Sequence, residues 1–63
     1  MSYTVYSVST ANDRRGQVEH GNFADPDWAE AHADYVHEMM MRDDPEYVRT
    51  VVEDEHGNLT YYT

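Results

Sequence analysis

The stretch DPDWAEAHADYVHEMMMRDD, at residues 25–44, constrains the fold more than any other part of the sequence. Asp25 suits the position before a helix, because its carboxylate can accept a hydrogen bond from an unpaired amide of the first turn. Pro26 suits the first helical position, where a missing N–H costs nothing. Arg42 fits the last turn, and Pro45 cannot continue a helix. The stretch therefore predicts one long helix.

Apolar residues recur along this helix at three- and four-residue spacing, which predicts an apolar stripe. The stripe consists of Trp28, Ala29, His32, Ala33, Tyr35, Val36, Met39 and Met40. We expect Trp28 and Met39 to face a sheet while Glu30, Asp34 and Glu38 face water or a partner, because burying an unpaired carboxylate costs several kcal/mol. A buried Trp28 would make Trp28→Ala destabilising by roughly 3–5 kcal/mol.

Four segments have the composition of β-strands. Tyr3–Ser9 is dense in β-branched and aromatic residues, and residues 46–53 and Leu59–Tyr62 share that character. Residues 17–20 form a weaker candidate, because only Val18 among them is strongly apolar. The glycine and asparagine that follow are expected to end this second strand.

Two connections predict hairpins. Residues 10–16 (TANDRRG) are polar and end in glycine, which is typical of a turn. Residues 54–58 (DEHGN) place glycine where a three-residue hairpin loop needs a left-handed backbone. That loop predicts the pairs Glu53 with Leu59, Val52 with Thr60, and Val51 with Tyr61. The sequence does not decide which face of this hairpin points inward. The inward-facing set is either Val51, Leu59 and Tyr61 or Val48, Val52 and Tyr62.

The order of elements, ββαββ, predicts an α+β fold in which one helix packs across one face of a four-stranded antiparallel sheet. The 63 residues are expected to form one domain spanning residues 1–63. A chain of this length buries only about 60% of the surface that its unfolded form exposes, so the core must be thin. The absence of cysteine excludes disulfides and cysteine-ligated zinc.

The chain is strongly acidic, with thirteen aspartates and glutamates against four arginines and a net charge of -9. This charge repels nucleic acid and anionic membranes, so neither is expected to bind directly. A protein with a basic surface would instead be attracted. The first residues lack the basic and apolar segments of a secretory signal, and no apolar run is long enough to span a bilayer. We expect a soluble cytoplasmic protein.

The acids of the helix are spaced so that they align on one side. The predicted partner-binding surface comprises Asp27, Glu30, Asp34 and Glu38 on the helix, Asp43, Asp44 and Glu46 after it, and Glu53, Asp54 and Glu55 at the second hairpin. Duplex DNA carries one charge per roughly 1.7 Å of axis, whereas the helix offers about one per 4–5 Å of rise. A mimic of the phosphate backbone would therefore need the acids outside the helix. The alternative is a solvated face without a partner.

Neither a metal site nor catalysis is expected. His32 and His37 are five residues apart and so do not share one helical face, and the HEMMM run lacks the second histidine of a zinc protease helix. No nucleophile motif is present, and no glycine-rich loop precedes the helix. Exposed carboxylates are not tuned as acids or bases. The sequence therefore predicts a non-enzymatic protein without a cofactor.

Small size, strong acidity, no cysteine, no catalytic motif and a GC-rich composition without lysine or isoleucine occur together here. In these properties the whole chain resembles small acidic anti-CRISPR and DNA-mimic proteins encoded by phages. The resemblance implies an inhibitor in the host cytoplasm that binds the nucleic-acid-handling surface of a CRISPR effector complex and blocks target DNA. Two alternatives are a salt-adapted acidic protein and a homo-oligomeric module whose exposed sheet tyrosines pair two copies.

Overall fold

The computed structural model describes residues 1–10 and 17–63, and these form four strands and one helix. The elements are β1 (Tyr3–Ser9), β2 (Gln17–Phe23), α1 (Pro26–Asp43), β3 (Tyr47–Asp54) and β4 (Leu59–Tyr62). The strands form one antiparallel sheet in the order β2-β1-β3-β4. The prediction of a ββαββ fold of the α+β class is confirmed. The first predicted connection lies outside the described residues except for Thr10.

Helix α1 begins and ends where the sequence predicts. The Oδ1 atom of Asp25 accepts a hydrogen bond of 2.9 Å from the N–H of Asp27, and Pro26 occupies the first turn. At the other end the N–H of Asp44 donates to the carbonyl of Met40 at 2.9 Å. Pro45 follows directly and lacks the N–H that a further turn would use. No helix within the described residues is long and apolar enough to cross a membrane.

Strand β2 is longer than predicted and runs to Phe23. Val5 lies opposite Gly21 while Tyr6 lies opposite Glu19, so His20 is an extra residue in β2. The glycine that the sequence presents as a strand end therefore follows a β-bulge, and the strand continues beyond it. The predicted end at residue 20 is wrong for this reason.

The second hairpin also contains a bulge, which changes its predicted register. Glu53 lies opposite Leu59 as expected, and Gly57 has the expected positive φ of 83°. Val52, however, pairs with Tyr61, and Val51 pairs with Tyr62. Thr60 is the extra residue, so the predicted partners of both valines are wrong by one position. Neither predicted inward set is correct as a whole: Val52 and Tyr61 contact the core, whereas Tyr62 is exposed.

The core lies between α1 and one face of the sheet. Its buried members are Tyr3, Val5 and Val52 from the sheet and Ala29, Ala33 and Val36 from the helix, with Phe23, Met40 and Tyr61 packed against them. Two of the three buried helix residues are alanines, whose small side chains let the helix backbone approach the sheet closely.

Trp28 and Met39 do not face the sheet, contrary to the sequence-based prediction. Trp28 is 67% exposed and Met39 is 38% exposed. The apolar stripe read from the sequence is wider than the strip of α1 that contacts the sheet. Only Ala29, Ala33 and Val36 are buried, and His32 and Met40 are half-buried beside them. Trp28, Tyr35 and Met39 are left in solvent.

Two polar residues, Ser7 and Thr50, are buried with their hydrogen bonds satisfied. The hydroxyl of Ser7 lies 2.7 Å from Nε2 of His20, and the hydroxyl of Thr50 lies 2.6 Å from that of Tyr47. The Tyr47 hydroxyl is also 2.7 Å from Nδ1 of His37 on the helix. These contacts fasten the edge strand β2 to β1 and the helix to β3.

The half-buried position of His20 gives the fold a pH dependence. Burial lowers the pKa of His20 from the usual 6.5, and the neighbouring His32 acts in the same direction. The unfolded chain then binds the proton more readily, so the stabilisation by neutral His20 is complete above pH 6.5 and is lost as the pH falls through the lower folded value. Thermal melts at mildly acidic and at neutral pH measure this effect. We expect acidification to destabilise the unsubstituted protein more than the His20→Gln variant. An identical loss in the two proteins would contradict this assignment.

Candidate binding surface

Among the acids of α1, Glu30 and Asp34 lie near Tyr61 of strand β4. Asp34 and Glu38 are exposed and Glu30 is half-buried. The hydroxyl of Tyr61 donates a hydrogen bond of 2.7 Å to Oδ1 of Asp34. This bond raises the pKa of Tyr61, because ionising the phenol would break the bond and place a second negative charge beside the carboxylate. Asp34 is thus bonded to β4, whereas the side chains of Asp27 and Glu38 are open to solvent.

The remaining predicted acids fall into two groups at opposite ends of the sheet. Asp43, Asp44 and Glu46 lie just before β3 begins, whereas Glu53, Asp54 and Glu55 lie where it ends. An eight-residue strand spans roughly 23 Å at about 3.3 Å per residue. The structure therefore does not gather all the predicted acids into one compact site. A partner touching both groups would have to span the length of β3.

Several of these acids have local structural roles. Oδ1 of Asp54 accepts bonds of 2.9 Å from the N–H groups of Asn58 and His56, and Oε1 of Glu55 accepts one of 2.8 Å from Ser2. The bond from Asn58 lowers the pKa of Asp54, and the bond from Ser2 lowers that of Glu55. The acids of the second hairpin therefore shape its turn and attach it to the N-terminal residues.

Asp44 has a similar role, because its Oδ1 accepts a bond of 2.9 Å from the N–H of Glu46. Glu46 in turn accepts a bond of 3.0 Å from the hydroxyl of Thr10. By contrast, the exposed carboxylates of Asp27, Glu38 and Asp43 accept no hydrogen bond from the described residues. The acids most available to another molecule therefore lie along α1.

Very little positive charge offsets this acidic helix. Within residues 1–10 and 17–63 the only ion pair is His56 with Glu55, at 3.7 Å. Arg42 is one turn from Glu38 without pairing with it, and the Arg49 guanidinium lies 5.4 Å from the ring centroid of Tyr62, away from the helix. Both arginines of the first predicted connection lie outside the described residues. The helix therefore presents a net negative surface.

An exposed apolar row lies beside the acids on the outer side of α1, and the sequence-based reasoning missed it. It consists of Trp28, Tyr35 and Met39, and we call it the aromatic row. Seven residues separate the first two members and four separate the last two, so all three lie on one side of the helix. The signal was present in the sequence: these residues share a row that differs from the row of Ala29, Ala33 and Val36.

Two shallow grooves occur on the outer side of α1. One is lined by Asp27, Trp28 and Ala31, and the other by His37, Glu38, Met41 and Arg42. Each has an acidic residue beside apolar surface, which suits a side chain that has a charged end and a flat or aliphatic body. In the part of the chain that the structure describes, no three histidine, aspartate or glutamate residues converge as metal ligands.

Comparison with protein-family models, characterised proteins and solved structures gives no match for this chain.

Proposed function

We propose that this protein is a non-enzymatic inhibitor whose acidic helix α1 binds a basic, nucleic-acid-binding surface of another protein. The single observation that carries the proposal is the set of exposed carboxylates along α1 that form no ion pair within the described residues, with Asp27, Asp34 and Glu38 at its centre. Opposite charges accelerate association and set the orientation of the partners. A protein that covers such a surface excludes the nucleic acid that normally binds there.

The class of partner that we propose is a subunit of a CRISPR effector complex, encountered in the cytoplasm of a bacterial host. Such a subunit holds nucleic acid in a positively charged channel. The resemblance in size, acidity and composition to phage-encoded inhibitors supports this choice. The sparse charge spacing along α1 favours contact with part of a channel. Asp43 is the last residue of the helix, contrary to the sequence-based prediction that it follows the helix, and Asp44 and Glu46 extend the surface beyond it. The acids of the second hairpin (Glu53, Asp54 and Glu55) are secondary contacts, because they already stabilise their own turn.

The experiment that tests the location of the surface is an NMR titration with a capped octalysine peptide. We expect amide shifts to concentrate on the outer side of α1, around Asp27, Asp34 and Glu38, and to shrink as salt screens the charges. Shifts centred on the exposed sheet face, or no saturable shifts at low salt, would refute the proposal.

A second candidate is a homo-oligomer formed through the sheet face that the helix leaves uncovered. Tyr6, Val51 and Tyr62 lie side by side across β1, β3 and β4 on that face. Tyrosine is enriched at protein interfaces. Sedimentation that depends on protein concentration, and that Tyr62→Ala abolishes, would favour this candidate, although a charge of -9 on each copy opposes association.

A further inference from the structure

Within the described residues, no member of the aromatic row belongs to the core cluster. Trp28 and Tyr35 are 67% and 60% exposed, and the helix contributes Ala29, Ala33 and Val36 to the buried core instead. The Tyr35 ring lies next to the His32 ring, with 6.0 Å between their centroids, and the His32 ring lies 5.1 Å from the Phe23 ring. A continuous aromatic strip therefore runs from edge strand β2 onto the outer side of α1. Contiguous exposed apolar surface of this kind marks interaction sites.

The aromatic row and the helix acids adjoin each other on one outward side. Asp27 and Trp28 line the same groove, together with the exposed Ala31 of the next turn. Glu38 follows Tyr35 by three residues, which places their side chains next to each other. A cation lying on α1 would thus meet an aromatic face and a carboxylate together at two successive places. A second copy of this chain would bring a further charge of -9 to this surface, so the complementary occupant is a basic partner.

Arginine fits this arrangement better than lysine. Its guanidinium is planar, so it stacks on an aromatic ring while its N–H groups bond a carboxylate, whereas the compact ammonium of lysine is more strongly hydrated. Cation–π contacts at exposed sites favour arginine for the same reason.

We propose that α1 selects arginine side chains of its basic partner, with guanidinium groups stacked on Trp28 and Tyr35 and paired with Asp27 and Glu38. The inference rests on the proposed function, because it concerns the same surface and the same class of partner. It adds that recognition is specific for arginine, and that Trp28 and Tyr35 anchor a contact which the carboxylates alone would leave weak and sensitive to salt. Tryptophan, tyrosine and arginine are the residues that most often dominate binding energy at interfaces.

The test compares capped octa-arginine and octalysine peptides, which carry equal charge, by calorimetry at one moderate salt concentration. We expect the arginine peptide to bind about tenfold more tightly, the gain that two exposed cation–π contacts supply. It should also change the emission of Trp28, which is the only tryptophan in the chain. In the double variant Trp28→Ala, Tyr35→Ala the affinity for octa-arginine should fall to the affinity for octalysine, so that the preference vanishes.

The matched control is Tyr62→Ala, which removes a ring of similar exposure (59%) from the opposite side of the sheet. It should keep the preference for arginine, and circular dichroism should show that all variants are folded. Equal affinity of the two peptides, or a preference that survives in the double variant, would overturn the inference and leave the acidic surface standing. Failure of both peptides to bind at low salt would overturn the inference together with the proposed function.

Discussion

Ala33→Leu will destabilise the protein by about 1–3 kcal/mol, because the added carbons have no space between α1 and the sheet. Ala33 is 0% exposed and belongs to the core cluster with Val5 and Val52. In a domain of this size each kcal/mol lowers the melting temperature by roughly 4–8 °C. Thermal and urea denaturation give the two values directly.

The matched control for this variant is Ala31→Leu, two residues away on the exposed side of the same helix. Both substitutions change helix propensity equally, so their difference isolates the contact with the sheet. We expect Ala31→Leu to change stability by less than about 0.5 kcal/mol. Equal effects at the two positions would mean that α1 is rotated from the orientation described.

Removing three charges from α1 should weaken binding to a basic partner by about tenfold, which lies within the range that three exposed ion pairs of roughly 0.2–1 kcal/mol each supply. The variant combines Glu30→Gln, Asp34→Asn and Glu38→Gln. Amides preserve the shape of the side chains, and the amide oxygen introduced by Asp34→Asn can still accept the hydrogen bond from Tyr61. The fold should therefore be retained. Calorimetry with octalysine measures the loss.

The control for the neutralised helix removes the same number of charges elsewhere, with Glu19→Gln, Glu53→Gln and Glu55→Gln. Glu19 lies in edge strand β2, and the other two lie at the second hairpin. This variant should lose less than about threefold in affinity, because it reduces the long-range attraction and removes only secondary contacts. If both variants lose affinity equally, net charge and not the surface of α1 determines binding.

The sequence predicted α1 well because its boundaries depend on local chemistry. The side chain of Asp25 caps a backbone N–H, whereas Pro26 and Pro45 lack that group. Each acts within one turn of its own position, so the ends of α1 could be predicted without knowing the sheet. The strand order and the bulges at His20 and Thr60 depend on pairing between distant segments. A period-2 pattern cannot reveal an extra residue of this kind, since one inserted position exchanges the two faces of a strand.

The orientation of the helix was predicted only in part, for a related reason. Eight apolar or weakly polar positions cover more of α1 than a thin sheet can contact, and hydrophobicity alone favours burying the largest of them. Packing instead favoured Ala29 and Ala33, because close approach of the two layers buries Val5 and Val52 completely. Trp28 was consequently misassigned to the core. Its exposed position beside the acids places apolar and acidic surface together on the outer side of α1.

The most direct test of the proposed function is a competition between this protein and duplex target DNA for purified CRISPR effector complexes. The unsubstituted protein should prevent DNA binding by at least one effector in a panel of different types at low salt. Its potency should fall as salt rises and should be largely lost in the variant neutralised at Glu30, Asp34 and Glu38. Undiminished inhibition by that variant, or DNA binding unaffected across the panel, would contradict the role assigned to the acidic helix.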